Sequence, residues 1–434
     1  MKSMSSSLIL MFAIALFAMF FGAGNFVLPP IIGMNAGESW FNAVLGFAAS
    51  GIIAPFLGIL AVVLAGKTFQ DVGNRVSPVL TTILTTIVIF CIGPFIAIPR
   101  TGASFFEVGV LPIYNEADAV WTSILFYLLV FGLSLSPSKI VTIIGKYLTP
   151  VLILFIIILI GAGLFTNSNV SPRIDHIKLP VFEYAFYEGY QTMDALASIF
   201  FATLLISAAR NKGYVSLAEK KHVVLKAAGL AMAILFVVYA GLIYLGASFG
   251  VISDEMTSSQ LLLQISTEIL GNNGVYVIAI IMFLACLTTS VALTASFAMY
   301  FMRLTNGRLG YHEGVILCII ISIMLSIASF EEIMSYGAGL LAFVYPLILM
   351  MVIFYLLFNK YVESNVPYLM AIFCTCIISV LSILPRYDIT TFENIRKYLP
   401  LYKQGLEWII PSLLIFLIAN ILIKKRSSYK SLKI

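Results

Sequence analysis

The chain has 434 residues, of which 61% are hydrophobic and 10% are charged, and its net charge is +5. A soluble globular domain carries roughly 25% charged residues. The surface helices of such a domain also need polar faces, which most segments of this chain lack. The composition therefore excludes a soluble globule and predicts an all-α membrane protein, folded as a single domain over residues 1–434. The positive charge requires no nucleic-acid partner.

Apolar segments long enough to cross ~30 Å of hydrocarbon recur along the whole chain. The first of them continues past the length of a signal-peptide core, so we interpret it as a span rather than a cleaved leader. Eighteen of the 25 lysines and arginines fall on the same side as the N-terminus, which predicts that both chain ends are cytoplasmic. We expect about twelve spans, at residues 8–33, 40–65, 79–99, 121–136, 140–165, 187–209, 223–250, 274–302, 314–330, 336–358, 367–385 and 408–423.

Side chains suited to catalysis are scarce. The five cysteines fall inside apolar segments, where they serve as small hydrophobes, and the three histidines fall in loops. This distribution argues against disulfides, a histidine-based metal site and a catalytic dyad. With no nucleotide-binding loop either, the sequence predicts a protein that is not an enzyme and needs no cofactor. No repeated segment suggests the selectivity filter of a channel.

Two of the predicted spans are interrupted. Span one is helical from Leu8 to Phe21 and then meets Gly22–Asn25, followed by two prolines. Span six meets residues 188–194 and is then helical over 195–209. Glycine is a poor helix former, and proline removes a backbone donor. At 1.5 Å per residue, both breaks lie about 21–22 Å from the inner ends of their spans, which run in opposite directions.

Level breaks in corresponding, oppositely directed spans are typical of transporters built from an inverted repeat, with the binding site at the breaks. We therefore predict a first five-helix repeat at 8–165, a second at 187–358, and two additional helices at 367–423. The alternative is that each break is an ordinary kink, since glycine and proline are common in membrane helices. The coincidence of the two breaks favours a binding site.

The first break would expose backbone groups that can bind a ligand. The amides around Ala23, Gly24 and Asn25 would begin the outer half-helix and suit a carboxylate. The carbonyls that end the inner half, around residues 18–21, suit a small cation. Glycine at positions 22 and 24 would let a ligand approach the backbone closely. The break thus indicates a zwitterion or an anion, without specifying its side chain.

Asp194, at the second break, is a functional candidate because a carboxylate within a membrane span is costly. It could bind a proton or sodium, face the ammonium group of a ligand, or cap the inner half-helix that begins at Ala195. Arg100, near the outer end of span three, could form a gate with Glu107 or Glu331. An arginine that snorkels to the interface is the simpler interpretation.

Span eight carries Ala285, Thr288 and Thr289 at i, i+3 and i+4, so the three share one helix face. Two hydroxyls and an alanine carbonyl on this face could bind a hard cation together with the carbonyls of span one. Alternatively, the threonines bond to their own helix or to a neighbouring helix. The spacing alone favours this second interpretation.

Four motifs together resemble a known family. They are FFGAGNFVLPP (20–30), IGPFIAIPRT (92–101), GYQTMDALA (189–197) and ACLTTSVALTAS (285–296). They are similar to those of the bacterial branched-chain amino acid:cation symporters, the BrnQ-type system II carriers. The resemblance implies a leucine-transporter-like architecture in the bacterial cell membrane. It also implies uptake of leucine, isoleucine and valine, generally with sodium and sometimes with protons or lithium.

The resemblance also implies the site residues. In this architecture one sodium ion binds between span-one carbonyls and the threonine face of span eight, here Ala18, Phe21, Ala285, Thr288 and Thr289. A second sodium site of the wider superfamily uses the asparagine at the first break and the substrate carboxylate. Backbone carbonyls at the second break bind the ammonium group, and apolar side chains line an aliphatic pocket. The implied substrate site consists of Gly22, Ala23, Gly24, Asn25, Phe95, Tyr190, Gln191, Thr192, Met193 and Asp194.

The same fold could instead use protons, or carry another small amino acid or a cation alone. Lys146 in span five is a candidate for replacing the ion by an ammonium group. It lies only seven residues after Lys139, shallow enough to snorkel into the cytoplasm, so we favour sodium. The expected partners are branched-chain amino acids, the cation and the lipid bilayer, with no obligate protein partner.

Overall fold

The chain is helical throughout the part that its structure, a computed structural model, describes: residues 6–74, 76–166, 179–214, 216–249, 257–362, 364–384, 396–402 and 405–431. No strand occurs in these ranges. In chain order the α-helices are α1 Ser6–Phe20, α2 Ala23–Ala36, α3 Trp40–Ala48, α4 Ala54–Ala65, α5 Phe69–Gly73, α6 Pro78–Phe90, α7 Ala97–Ser104, α8 Ala119–Ser134, α9 Ile140–Ile143, α10 Thr149–Phe165, α11 Val181–Gln191, α12 Asp194–Asn211, α13 Leu217–Phe249, α14 Ser258–Leu270, α15 Gly274–Leu304, α16 Tyr311–Leu325, α17 Phe330–Phe358, α18 Val366–Ile383 and α19 Ile409–Ser431.

Much of this helical structure is long and apolar enough to cross a membrane. Within the described ranges, seven continuous segments meet that condition, or eight when the bent pair α11–α12 counts as one span. Shorter apolar helices, among them α1, α8 and α16, accompany them. The chain is therefore a multi-pass helical membrane protein. The count of twelve spans and the five-plus-five repeat remain predictions.

Two features differ from the predicted elements. Span three, expected to end at residue 99, continues to Val110: a π-helical turn at Cys91–Phe95 accommodates Pro94, and a second at Phe105–Val110 ends the segment. The helix α14 is absent from the predicted elements. Its buried residues include Leu261, Leu262 and Ile265, so it packs one apolar side against the bundle while its other side is polar.

The long helix α13 packs against both halves of the first span, α1 and α2. Glycines permit the closest of these approaches. A Cβ atom at Gly33 of α2 would overlap the carbonyl oxygen of Ile243, and one at Gly246 of α13 would overlap that of Pro30. Small residues at membrane-helix crossings let two backbones approach closely. The crossing therefore fixes the position of α2, and with it the first break.

We expect Gly246→Ala to destabilise the folded protein, because the added methyl group must push α13 away from α2. Overpacking of this kind costs about 1–3 kcal/mol, which thermal unfolding in detergent should register as a lower melting temperature. Gly229→Ala on the same helix is the matched control, since nothing lies within 4 Å of a Cβ atom there. Equal melting temperatures for the two variants would show that the crossing is not tightly packed.

Candidate functional site

The first break consists of two residues, because α1 ends at Phe20 and α2 begins at Ala23. Gly22 is extended (φ −100°, ψ −167°), and its N–H donates to the Phe20 carbonyl oxygen at 2.7 Å. The N–H groups of Ala23, Gly24 and Asn25 have no acceptor within α2, as in the first turn of any helix. Gly22 offers no side chain that could cap them. Three amides thus remain available inside the bundle.

The second break lies between Gln191, the last residue of α11, and Asp194, the first residue of α12. The two helices are bent by 47° at this point. Met193 has a left-handed backbone conformation (φ 65°, ψ 8°), which is strained for a residue other than glycine. Such strain persists only where the surrounding fold imposes it, and it clusters at functional sites. Thr192 and Met193 both line a cavity between the two breaks.

A hydrogen bond joins the two breaks. Asn25 Nδ2 donates to Asp194 Oδ2 at 2.5 Å and to the Tyr239 hydroxyl oxygen at 2.6 Å. These three side chains are 2%, 4% and 1% exposed. The position that caps α12 is occupied by Met193, which makes no side-chain hydrogen bond. The Asp194 side chain therefore reaches across to span one.

Arg100 lies inside the bundle, so the snorkelling interpretation is wrong. The residue is 4% exposed, and its Nη1 and Nη2 donate to the carbonyl oxygens of Gln191 and Thr192 at 2.9 and 3.4 Å. These carbonyls are freed by the end of α11, and the guanidinium group gives them partners. Glu107 forms no gate with it, because its carboxylate accepts from the Phe330 N–H at 3.0 Å instead.

The guanidinium group of Arg100 also borders the first break. A Cβ atom built on Gly24 would lie 3.2 Å from Arg100 Nη2, so only a glycine leaves the side chain undisturbed there. The free amides of α2 and a buried cation consequently face the same space. Both favour a negative charge.

The threonine face of α15 meets the end of α1. Thr288 Oγ1 lies 2.9 Å from the Ala18 carbonyl oxygen and 3.1 Å from that of Ala285. Thr289 Oγ1 lies 3.3 Å from the Ala18 carbonyl and 3.1 Å from that of Met19. Four of the five residues expected around sodium are thus together. Met19 adds a further carbonyl oxygen beside Thr289, and the role of Phe21 stays a prediction.

Three of the predicted substrate residues, Phe95, Tyr190 and Gln191, do not line the cavity between the two breaks. Phe95 is 46% exposed, and its ring packs against Phe90 with centroids 5.3 Å apart. The non-helical backbone of Gly93 (φ −91°, ψ −122°) turns the chain so that Ile92, not Phe95, lines the cavity. The side chains of Tyr190 and Gln191 line a separate cavity. Of these two residues, Gln191 contributes its carbonyl oxygen to the network around Arg100.

The walls of the central cavity combine polar groups at the breaks with apolar side chains. Gly22, Ala23 and Asp194 are among the predicted residues that line it. Thr101, whose hydroxyl pairs with that of Ser290 at 2.5 Å, is a lining residue that the sequence did not suggest. The remaining lining residues are mostly apolar: Met19, Phe20, Ile92, Ala97, Ala197, Phe201 and Leu293.

Comparisons with known proteins identify the family. Residues 5–426 match the family described as branched-chain amino acid transport protein. The chain is 32% identical over 410 residues to the branched-chain amino acid permease BraB of Bacillus subtilis (strain 168). The aligned residues cover 92% of this chain and 91% of the relative. It is also 32% identical over 426 residues to the branched-chain amino acid permease BrnQ of the same organism, covering 95% and 96%.

Two solved structures share the fold. One is Mhp1, a nucleobase-cation-symport-1 family transporter in a closed conformation with bromovinylhydantoin bound, with a TM-score of 0.57, 14% identity and coverage of 95% of this chain and 93% of that chain. The other is a manganese transporter of Eremococcus coleocola, with a TM-score of 0.58, 15% identity and 96% coverage of each chain. The match over residues 5–426 and the permeases at 32% identity show that this chain is a transporter, not an enzyme, and belongs to the branched-chain amino acid transport protein family.

Proposed function

We propose that the chain imports leucine, isoleucine and valine in symport with sodium, by alternating access. The observation that carries this proposal is the Asn25–Asp194 hydrogen bond, which joins two helix breaks beside the threonine face of α15. Family membership supports the substrate class. The distribution of lysine and arginine supports a location in the bacterial cytoplasmic membrane with both chain ends inside. In this proposal, 8–165 and 187–358 are inverted repeats, and the site at the two breaks opens to either side of the membrane in turn.

The substrate carboxylate binds at the first break. The amides of Ala23 and Gly24 supply hydrogen-bond donors at the positive end of the α2 dipole. The adjacent Arg100 guanidinium adds a charge-assisted hydrogen bond, which is about twice as strong as a neutral one. A glycine at position 24 keeps the two sets of donors close together.

The substrate ammonium group binds at the second break. Asp194 has a buried carboxylate, and its acceptor capacity exceeds the one hydrogen bond that Asn25 donates. The Gln191 and Thr192 carbonyl oxygens, expected to accept from the ammonium group, are held by Arg100. An incoming carboxylate therefore draws Arg100 towards itself and releases these carbonyls for the ammonium group. Arg100 in this way couples the two ends of the zwitterion.

The cavity wall selects an aliphatic side chain. Ile92, Phe201 and Leu293 give the space between the breaks an apolar lining. A polar substrate side chain there would lose its bonds to water without replacement, which costs free energy. This lining supports leucine, isoleucine and valine over polar amino acids.

Sodium binds between α1 and α15. In the absence of an ion, the threonine hydroxyls donate to the carbonyls of Ala18 and Met19. A cation held among these oxygens requires only that the hydroxyl hydrogens rotate away. Oxygen ligands suit hard cations. Within the described ranges no group of three or more His, Cys, Asp or Glu residues could hold a metal ion, which disfavours a transition metal as the transported substrate.

The proton-coupled alternative rests on Asp194, a buried carboxylate at the centre of the site. Lys146 does not support it, because this residue is exposed and its Nζ lies over the Tyr147 ring at 5.4 Å from the centroid.

An inward sodium gradient should drive radiolabelled leucine into proteoliposomes above its external concentration, with isoleucine and valine as competitors. Equal sodium on both sides is the control and should give only equilibration. Lys146→Met should behave like the native protein because the lysine is exposed. Accumulation that follows an imposed pH gradient and ignores sodium would replace this proposal by the proton-coupled alternative. No uptake of any branched-chain amino acid would refute both.

We expect Thr288→Val and Thr289→Val each to raise the sodium concentration for half-maximal leucine uptake about tenfold, as the loss of one ligand worth ~1.4 kcal/mol requires. Leucine affinity at saturating sodium should change little. The matched control is Thr82→Val, since the Thr82 hydroxyl donates at 2.8 Å to Pro78 of its own helix. If sodium dependence is unchanged in both valine variants, these threonines serve helix packing alone.

A further inference from the structure

A second cavity, here called the Glu407 cavity, lies between α11, α17, α18 and the residues that precede α19. It is defined by Tyr190, Tyr345, Ser379, Arg396, Glu407 and Trp408. Its volume is about 230 Å³, below the ~300–1,000 Å³ of sites for drug-sized ligands, so it suits a small molecule. It shares no lining residue with the cavity between the two breaks. The proposed transport mechanism leaves it unused.

The Glu407 cavity contains a buried ion pair. Arg396 Nη2 lies 2.7 Å from Glu407 Oε1, which also accepts from the Ser382 hydroxyl at 2.7 Å. Glu407 is 2% exposed. A buried pair loses much of its attraction to the cost of dehydrating both charges, so it adds little to stability.

Each side chain of this ion pair has one buried polar atom without a partner. Neither Arg396 Nε, a donor, nor Glu407 Oε2, an acceptor, makes a hydrogen bond. The same holds for Trp408 Nε1, the hydroxyls of Tyr190 and Tyr345, and Ser379 Oγ. Buried polar groups are nearly always paired, and one without a partner costs its full dehydration energy. Six such atoms around one cavity indicate that a polar ligand completes them.

We propose that the Glu407 cavity is a second binding site for an α-amino acid with an apolar side chain. The carboxylate of the ligand accepts from Arg396 Nε and Trp408 Nε1, and its ammonium group donates to Glu407 Oε2. The rings of Tyr190 and Tyr345, tilted by 31° with centroids 3.9 Å apart, form an aromatic wall beside the ammonium group. Leu341 is an apolar contact for the side chain. The choice of leucine as the probe rests on the proposed function, whereas the second site itself rests on the residues of the Glu407 cavity.

The second site is connected to the first through the end of α11. The Gln191 residue lines the Glu407 cavity, whereas its carbonyl oxygen accepts from Arg100 Nη1 at 2.9 Å in the central network. A ligand that shifts this end of α11 also shifts the carbonyl that holds Arg100. Occupation of the second site should therefore change the leucine affinity of the first.

Equilibrium binding of radiolabelled leucine to the full-length protein in detergent, with sodium present, tests the proposal. The native protein should bind two leucines per chain. Gly24→Val, which displaces the Arg100 guanidinium, should bind one, and so should Glu407→Gln. Trp408→Phe keeps an aromatic ring but removes the Nε1 donor, and it should weaken leucine binding at the second site about tenfold. Thr375→Val is the matched control on α18, since its hydroxyl pairs with Ser412 outside the cavity, and it should bind two.

A melting temperature for each variant shows that it is folded. One leucine per native chain, lost in Gly24→Val but retained in Glu407→Gln, overturns the second site and leaves the proposed function intact. One leucine lost in Glu407→Gln but retained in Gly24→Val keeps the second site and refutes the central site. No leucine bound by the native protein overturns both.

Discussion

The hydrogen bond between Asn25 and Asp194 is the interaction on which the rest of the site depends. Two helices are interrupted within an apolar bundle, and an interruption there exposes backbone groups that find no water. The Asn25 amide connects the residues next to both interruptions and is held in turn by Tyr239. The glycine crossing of α2 and α13 supports the same arrangement, because α13 carries Tyr239. Packing and polar bonding thus fix the two breaks together.

Arg100 meets a second constraint, the backbone carbonyls left without helical partners where α11 ends. The arginine does not pair directly with the Asp194 carboxylate; it donates instead to the carbonyl oxygens of Gln191 and Thr192. One face of the site is therefore rich in donors and the other carries a carboxylate. An amino-acid zwitterion has the opposite arrangement of charges. In the proposed function, the two sides receive the two ends of the zwitterion once Arg100 turns from the Gln191 and Thr192 carbonyls to the incoming carboxylate.

The sequence predicted the parts of this site that depend on local rules. Glycines and prolines located the first break, the predicted interruption at 188–194 contains the second, and the i, i+3, i+4 spacing placed Thr288 and Thr289 on one face. It did not predict parts that depend on the path of the chain in three dimensions. The π-helical turns around Gly93 turn Phe95 outwards and keep Arg100 inside, and no local pattern reports that. Tyr239 gave no signal, because a lone hydroxyl in an apolar helix has no partner visible in the sequence.

A structure determined by electron cryo-microscopy in the presence of leucine and sodium tests the central claim most directly. Density for leucine should lie between the breaks, with its carboxylate at the amides of Ala23 and Gly24 and beside Arg100, and its ammonium group at Asp194. Asn25 should remain bonded to Asp194. A structure in which leucine lies elsewhere, or in which the two breaks separate and the space between them stays empty, would contradict this account.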